Sequence, residues 1–548
     1  MGASRGARRI ITVAVLAAIM MLAAPSAGRA ADGFASPART VHRTDWRAAS
    51  DQLRSELNAA PEVAADFALS ARRRSVGPDD PRRWPALIQL NGVTSAIFTG
   101  IGRSPVPVLL PFDATAYLAA RRHGATAGAS PKDVQADFHT DLFAAGPSGY
   151  DAVFSLPAET TDGLPSRVFA KPVEIQITGS AITYDIADPA GRKGDPVKAL
   201  AAYYPDLRRF IREGYVRYAF TRFGVPYVVS IQCLDSAPRP RRLACREAYP
   251  IAERFLKALR VAGGLPARLP PAMTPMAAER PETFSADFTY RPSGDIVANS
   301  GARGQTGRAD RTAYAQIRFP LDAPAYVHSQ SFGRRRASDK LEQPWSQYPW
   351  RDNFCEARDF NVGQCASGLG HQGQDIRPGA CPARRDGPDG CDPWQQRVLA
   401  VRDGVVIRSA KQQAVTVQVN SGTEHIRFRY MHMNPMAMDK DGLLNGRPLR
   451  EGEPIGVVSN YLDHPNGTTR HLHFDVQLFT RDGWIWVNPY TTLVAAYERL
   501  IGGRGREIGP ETTPPALSSA VTPAPAMTGA LPPAAGPQAD AAAGRDRN

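Results

Sequence analysis

The 548-residue sequence predicts a multidomain α+β chain, with a mixed α/β region on the N-terminal side and a β-rich region on the C-terminal side. Three observations predict it. The length exceeds the roughly 100–200 residues of an ordinary domain. A proline-rich stretch, PARLPPAMTPMAAERPET at 266–283, reads as a linker. Before it, helical and alternating segments are interleaved; after it, from about 346 to 500, alternating runs dominate. With 43% apolar and 22% charged residues, the composition is that of a soluble globular protein able to build a large core.

Residues 1–30 stand outside the expected fold. Arg5, Arg8 and Arg9 precede an apolar run from Ile10 to Ala24, and small residues lead to Ala30, the pattern of a secretory leader. The run is shorter than the roughly 20 residues of a membrane span. An exported protein, periplasmic or extracellular, with no stable membrane span after leader cleavage is expected.

Residues 31–50 read as an irregular lead-in to a mixed α/β region of unassigned role at 51–265. There DQLRSELNAAPEVAADFALSARRR reads as helix, VFAKPVEIQITGSAITYDI as strands, and LRRFIREGYVRYAF as helical at its start. PYVVSIQCLD reads as strand and CREAYPIAERFLKALRVAGG as helix. Residues 284–345 form a β-rich connecting region, and residues 346–500 the main β-rich domain. In it, AVTVQVNSGTEHIRFRYMHM alternates on both sides of Asn-Ser-Gly, as a hairpin does. The Ala/Pro-rich tail at 505–548 has no aromatic residue and is expected to be disordered.

Six cysteines fall as three close pairs, and in an exported chain an even count reads as disulfides. Sequential pairing, 233–245, 355–365 and 381–391, is the expectation, although six cysteines allow 15 connectivities. The formal charge of +13 becomes +9 without the leader, which holds four arginines and no acid. Such a surface is drawn to anionic cell-wall polymers or lipid headgroups. Nucleic acid is not expected as a partner, because the charge is scattered and Arg72–Arg74 and Arg334–Arg336 lack interleaved aromatics.

Chemistry concentrates where histidines do. Six of the ten lie between 371 and 473. In HLHFD, strand alternation puts His471, His473 and Asp475 on one side and Leu472 and Phe474 on the other. In HQGQD, an extended backbone brings His371 and Asp375 to one face, with Gly373 removing bulk between them. Two histidines and an aspartate are the ligands a catalytic zinc accepts, leaving a fourth position for water. Alternation in EHIRFRYMHM groups His432 with Ile426, Phe428 and Tyr430 and puts His425 opposite, so His432 is expected at the site and His425 is not. His425 and His464 read as surface residues.

The motifs H-x-x-x-D (371–375), Y-x-H-M (430–433) and H-x-H (471–473), in this order, resemble the M23 or lysostaphin-type zinc metallopeptidases. VLAVRDGVV, REGEPIGVV and VNPYTTL resemble flanking segments of that family, and the resemblance covers about residues 365–495. It implies an antiparallel β-sheet domain with a metal in a groove, and one Zn2+ held by His371, Asp375 and His473. It also implies that His432 and His471 are active-site histidines that do not bind the metal, and that the activity is hydrolysis of peptide bonds in peptidoglycan stems or cross-links. The cysteine-bearing insertion after Asp375 and the long GVVSNYLDHPNGTTRH stretch depart from the family pattern and bear on substrate choice. Two other functions fit the same residues: a non-catalytic wall-binding or hydrolase-regulating protein, and a metallopeptidase with a protein substrate. Residues 51–265 could bind wall, bind a protein partner or cover the groove.

Overall fold

The computed structural model describes residues 37–67, 77, 80–122, 134–158, 164, 171–186, 194–212, 214–233, 243–267, 287–296, 316–328, 349–358, 360–365, 367–378, 396–459 and 470–509. The expected leader, the third cysteine pair, His464 and nearly all of the linker and tail lie outside them. Most of the regular structure is β-sheet, with few helices.

The first sheet has seven strands: β1 (His139–Gly146), β2 (Gly149–Leu156), β3 (Val173–Ser180), β4 (Asp195–Pro196), β5 (Arg208–Arg212), β6 (Tyr215–Arg222) and β7 (Val225–Gln232). Their spatial order is β1-β2-β3-β7-β6-β5-β4, antiparallel throughout. The β6–β7 turn is a two-residue loop, Phe223-Gly224, with φ of 52° and 78°. Such positive values match the twist of a tight hairpin. One face of the sheet carries Tyr150, Phe154, Ile175, Ile177 and Val229 into a core shared with helix α1 (Trp46–Asn58), α2 (Pro85–Thr94) and α3 (Cys245–Ala258). Helix α1 starts where the Asp45 side chain accepts from the Ala48 amide, and it buries Trp46, Ala49, Leu53 and Leu57 along one stripe.

Two sequence expectations fail in this region. The helix expected over 51–74 is interrupted: α1 ends at Asn58, Ala60 before Pro61 leaves the helical region at φ −132° and ψ 76°, a short helical turn follows at Pro61–Ala64, and residues 68–74 lie outside the described residues. LRRFIREGYVRYAF is not helical at its start: β5 and β6 form a hairpin, Arg212 opposite Tyr215, turning at Gly214 with φ 79°. Pairing with the sheet overrides a weak helical preference there.

The second sheet contains β8 (Ala325–Val327), β9 (Gln374–Pro378), β10 (Gly404–Ile407), β11 (Val415–Asn420), β12 (His425–Met431), β13 (Pro448–Leu449), β14 (Leu472–Thr480) and β15 (Gly483–Val487). Its order is β8-β9-β14-β12-β11-β10-β13, with β15 also paired to β14, and every pairing is antiparallel. One face is a core of Ile426, Phe428, Tyr430, Leu472, Phe474 and Val476, closed by Leu493, Val494 and Tyr497 of helix α4 (Tyr490–Ile501). The opposite face is polar. Arg427 stands opposite Gln477, Arg429 opposite Asp475, and His473 opposite both Met431 and Asp375.

The first sheet lies against part of that polar face. Ala219 and Val228 pack on Phe479 and Trp484, and Leu142 and Val153 pack on Ile407. Ser148 donates to Asn420 Oδ1 through its amide and hydroxyl at 2.9 and 2.6 Å. No described helix is long and apolar enough to cross a membrane.

Candidate metal centre

His473 and Asp375 meet because β9 and β14 are paired at that position. Neighbours in register across antiparallel strands point to the same face. Gly373 lets the strands approach: a Cβ there would collide with the Phe474 carbonyl oxygen and come 2.9 Å from His473 Nε2. His371 precedes β9 in a loop and turns its ring to the same point.

The three groups converge atom to atom. His371 Nε2 lies 3.0 Å from His473 Nδ1 and 3.2 Å from Asp375 Oδ1, and His473 Nδ1 lies 3.4 Å from the same oxygen. Zinc bonds of about 2.0–2.1 Å to nitrogen imply a tetrahedral edge of about 3.3–3.4 Å. The triangle matches one face of such a tetrahedron.

Each ring is held from behind. His371 Nδ1 sits 2.9 Å from the Asn353 carbonyl oxygen, which only accepts, so Nδ1 carries the proton and Nε2 presents its lone pair. His473 Nε2 lies 3.3 Å from Asp475 Oδ2, and Asp475 is fixed by Arg429 Nε at 2.7 Å and Trp486 Nε1 at 2.9 Å. The Asp375 amide donates to Asn353 Oδ1 at 3.3 Å. Metal-binding histidines characteristically have such outer partners. Asn353, Arg429 and Trp486 belong to no motif that the sequence reading used.

Lone pairs of two imidazoles and a carboxylate oxygen repel one another when buried so close, unless a cation or a proton lies among them. The residues are buried, at 5% exposure for His371, 2% for Asp375 and 3% for His473. The donor set and its spacing therefore fit zinc. Burial holds the His371 pKa below the usual imidazole range, despite Asp375 beside it. Burial alone would raise Asp375, but the charges and hydrogen bonds of His471 and His371 outweigh it and hold the carboxyl well below its usual range. Burial would likewise lower His473, and its carboxylate neighbours Asp375 and Asp475 raise it instead.

His471 Nε2 lies 3.2 Å from Asp375 Oδ1, and its ring stands 4.7 Å from that of His432, edge to face. The His432 ring is 5.9 Å from that of His473. Burial, then the neighbouring His471 and His473, holds the His432 pKa well below the usual range. Simple alternation does not put His432 here. Tyr430 points into the apolar core, and continuing the strand would send His432 after it. Strand β12 ends at Met431, and His432 takes φ 68°. That left-handed backbone is uncommon for a residue other than glycine, and the ring lies beside those of His471 and His473.

His425 is not a surface residue. It is fully buried, with Nε2 2.7 Å from Asp151 Oδ2 in the first sheet. The expectation fails because the covering partner lies 274 positions away. Cys233–Cys245 and Cys355–Cys365 are bonded as expected.

No protein-family model and no curated protein matches the chain. Among solved structures it is similar to a candidate glycyl-glycine endopeptidase lytM from Ruminococcus gnavus, with 18% identity over 35% of this chain and a TM-score of 0.21. The chain spans 64% of the length of that structure. It is also similar to a candidate peptidase M23 from Pseudomonas aeruginosa, with 14% identity, 54% of this chain, 90% of that one and a TM-score of 0.18. Likenesses this distant carry no argument about function.

Proposed function

We propose that the chain is an exported zinc metallo-endopeptidase that hydrolyses peptide bonds of peptidoglycan stems or cross-links. The observation that carries the reading is the triangle of His371 Nε2, His473 Nδ1 and Asp375 Oδ1, with both rings tied from behind. His371, Asp375 and His473 would hold one Zn2+. The substrate class rests on the resemblance of the three motifs to the M23 pattern. The reading of export rests on the leader-like residues 1–30 and agrees with the two disulfides.

Zinc at this position supplies Lewis acidity, which acidifies a water and polarises an acyl oxygen. The chain's own groups do the rest. Asn353 and Asp475 keep the two ligand rings in the tautomers that face inward. His432, its ring 4.7 Å from that of His471 and 5.9 Å from that of His473, can accept a proton at a ring nitrogen and pass it to a leaving amine. His471, its Nε2 3.2 Å from Asp375 Oδ1, can steady a developing oxyanion through Nδ1 when the ring carries both protons.

Digestion of purified peptidoglycan by the mature protein, with and without chelator, tests the reading by mass spectrometry of the released fragments. New peptide ends that vanish with chelator are expected. A zinc-loaded protein that releases nothing from peptidoglycan but cleaves a protein would overturn the substrate. A protein that binds no zinc would overturn the enzyme.

A further inference from the structure

We infer that the Cys355–Cys365 disulfide is a positioning device for the metal centre, resting on the zinc reading above. Asn353 bonds the start of β9: its amide donates to Gln374 Oε1 at 3.2 Å, and its Oδ1 accepts from the Asp375 amide at 3.3 Å. The Cys355 amide donates to the His371 carbonyl at 2.8 Å, and the His371 amide donates to the Glu356 carbonyl at 2.8 Å. With the Asn353 carbonyl on its Nδ1, His371 is thus gripped at three points by residues 353–356.

The disulfide fixes that grip. Cys355 has φ 67°, a conformation an L-residue holds only when its surroundings impose it. The bridge to Cys365 ties this residue to a turn in which the Cys365 amide donates to the Val362 carbonyl and the Gly368 amide to the Cys365 carbonyl. Gly370, the residue before His371, lies directly on the bridge: a Cβ there would stand 2.8 Å from Cys355 Cα and 2.8 Å from Cys365 Sγ.

The same small core reaches the other histidine. Both cysteines are fully buried and pack with Phe354, Val362 and Trp486. Trp486 donates to Asp475 Oδ1 at 2.9 Å, and Asp475 backs His473. The bridge therefore supports one ligand through the backbone and the other through an indole. The second disulfide, Cys233–Cys245, joins the end of β7 to α3 and touches neither ligand.

The test compares zinc affinity, by competition with a fluorescent chelator, in the full mature chain and in two double variants. Cys355→Ala/Cys365→Ala is expected to lose at least tenfold in affinity and to change the visible absorption of the cobalt-loaded protein, which reports ligand geometry. Cys233→Ala/Cys245→Ala is expected to stay within twofold with an unchanged cobalt spectrum. An unchanged affinity and spectrum in the first variant would overturn the inference. Should that variant fail to fold, Gly370→Ala, which crowds the bridge without removing it, replaces it: a tenfold loss is expected and full affinity would overturn the inference. Absence of zinc binding in the unaltered chain would instead sink the zinc reading itself.

Discussion

Two ends of one polar sheet face treat their histidines in opposite ways. At one end Asp151 takes His425 Nε2 on one oxygen at 2.7 Å and Arg427 on the other at 3.1 Å. The Thr178 hydroxyl adds a bond at 2.6 Å, and the Arg427 guanidinium lies 4.1 Å from the centroid of the Trp484 ring. Asp151 thus finds its cation, Arg427, within the protein. At the other end three imidazoles crowd a single oxygen of Asp375, and the His371 ring already spends its proton on a carbonyl. No arginine or lysine bonds that oxygen among the described residues; its neighbours are the three rings. The difference teaches that histidine density does not make a metal centre. Convergent lone pairs, with tautomers fixed from outside, make the better candidate for one.

The contrast breaks if the two histidines behave alike. His473→Ala is expected to abolish zinc binding and hydrolysis, while His425→Ala keeps a full equivalent of zinc, both read by metal analysis of the purified proteins. Equal zinc content in the two variants would erase the distinction. His432→Ala sharpens it from within the site. Zinc should remain, and turnover should fall about 10²–10⁴-fold, the range for loss of a general acid–base; kinetics on a muropeptide substrate checks this.

Much of this was legible, for a physical reason. Strand alternation is local, so HLHFD announced which side of β14 is polar, and the hairpin around Asn-Ser-Gly is the one observed, with Asn420 opposite His425. Sequential cysteines close short loops, and the two described pairs are joined that way. What escaped was whatever depends on distant parts of the chain or on one unusual backbone angle. His425 looked like a surface residue because nothing nearby shows that Asp151 will cover it. His432 was placed at the site by alternation with Tyr430, which taken alone leads into the core; its φ of 68° brings it out. Asn353 and Trp486 back the candidate ligands with no local signature, since nothing in the neighbouring sequence shows which carbonyl or which indole the fold brings there.

The balanced end makes its own prediction about the first sheet. Starting the chain at residue 284 removes Asp151, Gln176 and Thr178 together and strands Arg427, which bonds Asp151 and Gln176. Such a truncation is expected to lose cooperative folding rather than gain activity, as circular dichroism on heating would show. A folded, more active fragment would mean that the sheet is a removable cover. Asp151→Asn is milder. Breaking a buried ion pair on one side costs about 3–5 kcal/mol, measurable by denaturant unfolding. Burial alone would raise the Asp151 pKa, but His425, Arg427 and Thr178 together lower it below its usual value of 3.8. A carboxylate depressed in the folded state stabilises above its unfolded pKa, and that contribution is lost as pH falls through the lower folded value. The native chain should therefore lose stability below about pH 4, and the variant should lose less over the same window.

The smallest expected effect bears on how the metal end is held. Asp475→Asn keeps the size of the side chain and an oxygen able to accept from His473 Nε2, but removes the negative charge. Arg429, 2.7 Å from Asp475 Oδ2, then faces a neutral partner, and its own charge presses on the imidazole it formerly helped to orient. A carboxylate behind a ligand histidine raises the basicity of the ring, and losing such a partner typically costs about 10–100-fold in metal affinity. Zinc competition should show a loss in that range, with the triangle's three donors still present. Were the affinity unchanged, His473 would owe its orientation to strand pairing alone, and the outer carboxylate would belong with the balanced charges of the His425 end.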